Sequence, residues 1–287
     1  MLLVTAAICF GLVPLFAKSL QQGGTSSAAV AFYRFGLPTM LLLPFLPISR
    51  EKRGEALLLG SIGALMGLSW IGYLESIKVA SVAIAGIIYM SYPLFTLLFA
   101  WLLLGHRPTR RGLFAVFLIG IAALLTFSPG NIPPAALPSL LWALPAPMSF
   151  GLIIVLLSGC RHSLTVIERM LCVSLGASLG LLPLVLQSGP GHLLYDVQHH
   201  WVLIIGITLI TAFIPQFLYI FASPRVGPAR SAATGSFELP TMILVGWLLF
   251  GEFLGWREIL AAACVIGAVL ASPVGFSGTK SADYPDS

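Results

Sequence analysis

Trp101-Leu102-Leu103-Leu104-Gly105-His106 returns as Trp247-Leu248-Leu249-Phe250-Gly251-Glu252, 146 residues later. An arginine follows each copy at the same offset, as Arg111 and Arg257, and each copy closes a long apolar segment that carries a proline, Pro93 or Pro240. Repetition at about half the chain length marks two copies of one structural unit. The loops that follow differ in charge: Arg107, Arg110 and Arg111 after the first copy, Glu252 and Glu258 against Arg257 after the second. In a membrane, that asymmetry predicts that the two copies point opposite ways.

Composition points to the bilayer as the solvent. The chain is 58% hydrophobic and 9% charged over 287 residues, with a mean hydropathy of +0.99. So few charges cannot cover so much apolar surface in water. The apolar runs are also of spanning length. Val82 to Leu104 holds 23 residues without a formal charge, where a bilayer core needs about 20. Met1 leads into an apolar stretch without a charged flank, so that stretch reads as a first span and not a cleaved signal. Cys9, Cys160, Cys172 and Cys264 show no metal-like spacing and read as small core residues, so no metal or other cofactor is expected. No His-Glu-x-x-His, nucleotide-binding loop or paired-carboxylate spacing is present, which argues against an enzyme. The net charge of +5 speaks of orientation and not of nucleic acid.

Ten spans are expected, near 2–20, 26–47, 55–77, 81–104, 112–128, 138–158, 164–187, 199–222, 227–250 and 256–274. Breaks are expected at Arg50–Arg53, His106–Arg111, Ser128–Pro134, Gly189–His200 and Ser223–Pro228, with a tight helical hairpin at Lys78–Ser81. With both termini in the cytoplasm, inner loops and tail hold ten lysines and arginines and outer loops hold three, Lys18, Lys78 and Arg257. Gly63-x-x-x-Gly67 and Gly176-x-x-x-Gly180 predict close helix packing. Intramembrane prolines free backbone carbonyls and mark either simple kinks or bends beside a cavity; Pro93 and Pro240, at corresponding places in the two repeats, are the hinge candidates.

Several stretches resemble the drug/metabolite transporter superfamily of the EamA type. They are Tyr33-Arg34-Phe35, Tyr73 to Ala80, Ser91-Tyr92-Pro93 and Leu104-Gly105 in the first half, then Arg225-Val226-Gly227, Glu238-Leu239-Pro240 and Gly251-Glu252 in the second. His106 departs from the glutamate that the family carries there. The resemblance implies an all-α integral membrane fold of ten helices, as two inverted five-helix repeats (1–134 and 135–275) around a central cavity, followed by a flexible cytoplasmic tail at 276–287. It implies alternating-access transport of small metabolites across the inner membrane. The nearest resemblance is to exporters of aromatic and other neutral amino acids. Uptake or exchange of another solute (a nucleobase, sugar derivative or drug cation) and a non-transporting scaffold or receptor are the alternatives.

Charges inside spans are costly and therefore candidates for function. Arg34, Glu75, Lys78, Glu238 and the pair Glu168–Arg169 qualify. Glu75 and Lys78 stand three apart and can pair. Glu238, two residues before Pro240, can bind a substrate ammonium, carry a coupling proton, or pair with Arg34 or Arg169. An aromatic lining is expected from Trp70, Tyr73, Tyr89, Tyr92, Phe95, Trp142, Tyr219 and Phe237. Within it, Tyr89, Tyr92 and Phe95 form a stripe on one helix face. Trp101 and Trp247 read as belt anchors at opposite surfaces.

Overall fold

A computed structural model describes residues 1–46, 49–105, 110–126, 137–159, 163–187, 190–226, 235 and 237–271. His106, Arg107, the Ser128–Pro134 break and the 276–287 tail lie outside these residues. All regular secondary structure among the described residues is helical. The helices are α1 (Leu2–Gly11), α2 (Val13–Gln22), α3 (Ser27–Leu42), α4 (Arg53–Val79), α5 (Val82–Tyr89), α6 (Tyr92–Leu104), α7 (Arg110–Thr126), α8 (Leu137–Ala143), α9 (Pro145–Gly159) and α10 (Val166–Gln187). They continue with α11 (Pro190–Ile205), a π-helical stretch Gly206–Phe213, α12 (Ile214–Val226), α13 (Glu238–Phe250) and α14 (Trp256–Ala271).

Prolines decide where the long apolar segments divide. Pro14 and Pro93 lie in the first turns of α2 and α6, and Pro145 begins α9. A first turn tolerates proline because its missing N–H has no intrahelical acceptor. Rejoined across these breaks, seven stretches among the described residues are long and apolar enough to cross a membrane, at Leu2–Gln22, Ser27–Phe45, Arg50–Val79, Val82–Leu103, Leu137–Leu156, Val166–Gln187 and Asp196–Tyr219. They coincide with seven of the ten expected spans. At the other three, the described helices α7, α13 and α14 have 17, 13 and 16 residues.

Serines and glycines set the remaining ends. The Ser26 and Ser81 hydroxyls accept the amides of Ala29 and Ile84, each at 3.2 Å, and start α3 and α5. Only Ala80 and Ser81 separate α4 from α5, as the tight hairpin requires. The repeated phrase ends alike in both copies: Gly105 and Gly251 take left-handed conformations, at φ 68° and 62°, that close α6 and α13. Two expected breaks are corrected. The stretch from Pro190 to His200 is helical, started by a proline at its first position and kinked at His200 (φ −121°, ψ 20°). Helix α12 continues through Ser223 and Pro224 to Val226.

The tightest packing joins α4 to α10. A Cβ on Gly63 would run into the Val173 backbone, and one on Gly176 into the Gly60 backbone. On Gly67 it would stand 2.8 Å from the Ala177 carbonyl oxygen, and on Gly180 3.0 Å from that of Ala64. These partners rise together in number, so the helices run parallel. Two ion pairs close their shared N-terminal end, Lys52–Glu168 at 2.7 Å and Arg169–Glu55 at 3.0 Å. Helix α5 meets α13 in the opposite sense: Val82 lies beside Gly246, and Gly86 beside Met242 and Leu239. Where that pair ends, Glu252 accepts the Val82 amide at 2.7 Å and the Lys18 ammonium at 2.5 Å.

Gly176→Ala is expected to lower thermal stability in detergent by about 1–3 kcal/mol, the usual cost of forcing extra volume into a packed contact. Gly120→Ala, in α7 with nothing within 4 Å of its added Cβ, is expected to leave stability unchanged or raise it by up to about 1 kcal/mol. Thermal unfolding followed by tryptophan fluorescence checks both.

Candidate functional site

Arg34 lies in the middle of α3 and is only 5% exposed. Its guanidinium carbon sits 3.8 Å from the centre of the Trp70 ring, with Phe35 at 5.8 Å. A desolvated cation over an aromatic face is held by about 2 kcal/mol or more. That contact fixes one face of the guanidinium plane and leaves its edge free. The buried Nε and Nη1 of Arg34 have no hydrogen-bond partner.

The Trp70 ring starts a chain of packed aromatics. Tyr73 lies 5.1 Å from it and Tyr89 6.0 Å, centre to centre. Tyr89 also meets Tyr73 at 5.1 Å, Tyr92 at 6.1 Å and Phe150 at 5.9 Å, and Phe150 meets Tyr92 edge-on at 5.0 Å. Helices α4, α5, α6 and α9 thus each supply part of one wall. Tyrosine suits such a place because its ring packs while its hydroxyl remains available.

Glu238 arrives from the other half of the chain, in the first turn of α13, and is 8% exposed. The positive end of the helix dipole favours a carboxylate there. Gly11 positions that turn. A Cβ on Gly11 would lie 2.8 Å from the Glu238 carbonyl oxygen and 2.5 Å from the Thr241 Cβ, so α1 presses directly on the start of α13. Arg34 and Glu238 are near enough for their charges to interact, together with Tyr73 and Tyr89. They form no direct ion pair, and the Glu238 side chain has no hydrogen bond among the described residues. Tyr219 stands near both Glu238 and Tyr92.

The profile of the EamA-like transporter family matches residues 1–128 and again 137–272. The chain belongs to the EamA-like transporter family. An uncharacterized transporter of Archaeoglobus fulgidus is 25% identical over 274 residues, which are 93% of each chain. The crystal structure of another protein shares the fold, with a TM-score of 0.58 at 16% identity over 94% of both chains. The molecule is a membrane transporter of small solutes.

Within this EamA-like transporter, Arg34, Trp70, Tyr73, Tyr89, Tyr92, Tyr219 and Glu238 come together, and the other expected residues do not. Trp142 and Phe237 are 61% and 51% exposed and stand apart from the buried rings. Phe95 turns towards α9, where a Cβ on Gly151 would touch its side chain at 3.0 Å. Met90 and Ser91 interrupt the helix between Tyr89 and Tyr92, yet those two rings still meet at 6.1 Å. Glu75 and Lys78 pair with each other at 2.9 Å on an exposed helix end, away from Arg34. Arg169 pairs with Glu55, so it is not the partner of Glu238. Pro93 and Pro240 fall in the first turns of α6 and α13.

Sequence reading missed Phe150, whose signal was its place between Pro147 and Gly151 in a bent span. It also missed a second buried group. Asp196, at 5% exposure, accepts the hydroxyls of Thr25 at 3.0 Å and Tyr33 at 3.4 Å. The Thr208 hydroxyl in the π-helical stretch donates to the Tyr33 carbonyl at 2.9 Å.

Tyr89→Ala removes a ring packed on four others and is expected to cost about 3–5 kcal/mol of stability. Trp142→Ala, at an exposed position, is expected to stay within about 1 kcal/mol of the parent. Thermal unfolding of the two purified variants side by side tests the division between buried wall and exposed face.

Proposed function

We propose that this EamA-like transporter exports amino acids, aromatic or other neutral ones, across the inner membrane by alternating access. The observation that carries the reading is the buried wall of Trp70, Tyr73, Tyr89, Tyr92 and Phe150 beside Glu238. An aromatic wall favours an apolar or aromatic side chain, and a buried carboxylate can take an ammonium or a coupling proton. Glu75 is already engaged by Lys78 at an exposed helix end, which leaves Glu238 as the carboxylate suited to coupling.

In this reading the chain has ten spans in two inverted halves, 1–134 and 135–275, with both termini in the cytoplasm. The contacts support that arrangement. Lys18 and Glu252, expected at outer loops, and Val82, at the start of the fourth span, share one end of the bundle. Lys52, expected at an inner loop, pairs with Glu168, and Arg169 beside it pairs with Glu55, so the starts of the third and seventh spans share another cluster. Val82 begins the segment that Gly105 ends, yet it touches Glu252 at the close of the second repeated phrase.

Proteoliposomes loaded with a labelled mixture of amino acids are expected to release aromatic and neutral members faster than protein-free vesicles. Equal release of every amino acid from both removes the exporter reading. Glu238→Gln is expected to abolish proton-dependent flux and leave counterflow measurable, and an unchanged pH dependence takes Glu238 out of the coupling role. In a background without native cysteines, single cysteines at Arg110 and Arg257 are expected to label from opposite sides of the membrane.

A further inference from the structure

We propose that Arg34 and Glu238 together read the two ends of a free α-amino acid, Arg34 holding its carboxylate and Glu238 its ammonium. The inference rests on the transport reading above and gives each of the two buried charges a separate task. Both residues are more than nine-tenths buried. A buried charge without an opposite charge or hydrogen bonds is strongly unfavourable. Trp70 covers one face of the guanidinium but accepts no hydrogen bond, so the unpartnered Nε and Nη1 donors still need acceptors. Glu238 needs a donor, and among the described residues it has none.

Arg34 and Glu238 do not satisfy each other, because no direct ion pair joins them. A ligand of one sign repairs half of the site and worsens the other half. An amine beside Glu238 brings a second cation near Arg34, and a carboxylate beside Arg34 brings a second anion near Glu238. A zwitterion answers both charges and adds no net charge to a low-dielectric centre. The planar, forked donor edge of arginine matches a carboxylate in geometry as well as charge. Beyond the two charges stand Tyr89, Tyr92 and Phe150 from the first and second halves, and Tyr219 lies beside Glu238. Arg34 belongs to α3 and Glu238 to α13, so a bound amino acid ties the two halves of the chain together. The proposal excludes drug cations and nucleobases as the preferred cargo, because they carry one end or neither.

The test is counterflow of labelled L-phenylalanine into proteoliposomes preloaded with unlabelled L-phenylalanine, with four competitors. These are L-tryptophan, phenylalanine amide, phenethylamine and N-acetylphenylalanine. For the parent protein, L-tryptophan is expected to compete well and each single-ended analogue at least ten-fold less well. Arg34→Gln is expected to weaken phenylalanine and bring the amide and the amine up to its level. Glu238→Gln is expected to do the same for N-acetylphenylalanine. Single-ended analogues that compete with the parent as well as phenylalanine itself overturn the proposal without touching the transport reading. Full efflux of other solutes with no exchange of any amino acid overturns the proposal and the amino-acid reading together. A third result also overturns it: either single variant lowers the melting temperature, the Arg34→Gln/Glu238→Gln double variant restores it, and analogue preference never changes. Arg34 and Glu238 would then be structural partners only. The competitor panel on the parent protein decides the matter even where a variant fails to fold.

Discussion

Backbone touches backbone where α4 crosses α10, and the rest of the bundle is arranged around that contact. In an apolar solvent two helices gain nothing by hiding oil from water, because lipid is as apolar as leucine. What draws them together is close van der Waals contact, and only residues without a Cβ permit it at Gly63, Gly67, Gly176 and Gly180. One helix comes from each half of the chain, so this seam fixes how the halves meet. The ion pairs Lys52–Glu168 and Arg169–Glu55 then close the seam at a single end. Thr39 of α3, bonded to Ser178 of α10 at 3.2 Å, brings the helix that carries Arg34 onto the same seam.

The centre of the molecule answers a harder problem than packing. A guanidinium and a carboxylate sit deep among aromatic rings, where each is expensive, and the fold holds them near one another without letting them meet. Trp70 steadies the cation through its π face, which saturates none of its hydrogen-bonding edge. The start of α13 steadies the anion through the helix dipole, which likewise supplies no hydrogen-bond partner to its carboxylate oxygens. Both devices stabilise charge and leave its chemistry available.

How much of this was legible in the sequence depended on whether the signal was local. Glycine pairs four apart announce a close contact because their spacing alone puts them on one helix face. The repeated Trp-Leu-Leu-x-Gly phrase announces a helix end because its glycine takes a left-handed conformation that other residues avoid. Prolines announce breaks, and most breaks fell beside them. The partners of the charges were not legible. Lys18 finds Glu252 across 234 residues, and Glu55 takes Arg169, which pattern reading left among the partners for Glu238. Nor could periodicity show that Met90 and Ser91 interrupt a helix between Tyr89 and Tyr92, whose rings nevertheless meet. Phe150 was hidden for the same reason, since nothing local distinguishes a phenylalanine that faces a tyrosine from one that faces lipid.

Tyr33 and Arg34 are neighbours in sequence and point into different parts of the molecule. The Tyr33 hydroxyl reaches Asp196 of α11, its carbonyl holds Thr208, and the next side chain lies flat on Trp70 of α4. Successive residues on a helix are set about 100° apart and cannot turn independently. Helix α3 therefore fixes how its two neighbouring residues are set relative to each other. A twist that withdraws Tyr33 from Asp196 must also swing Arg34 across the face of Trp70. The buried carboxylate of α11 and the guanidinium at the centre are thus joined by the rigidity of one turn of helix, with no chain of hydrogen bonds needed between them.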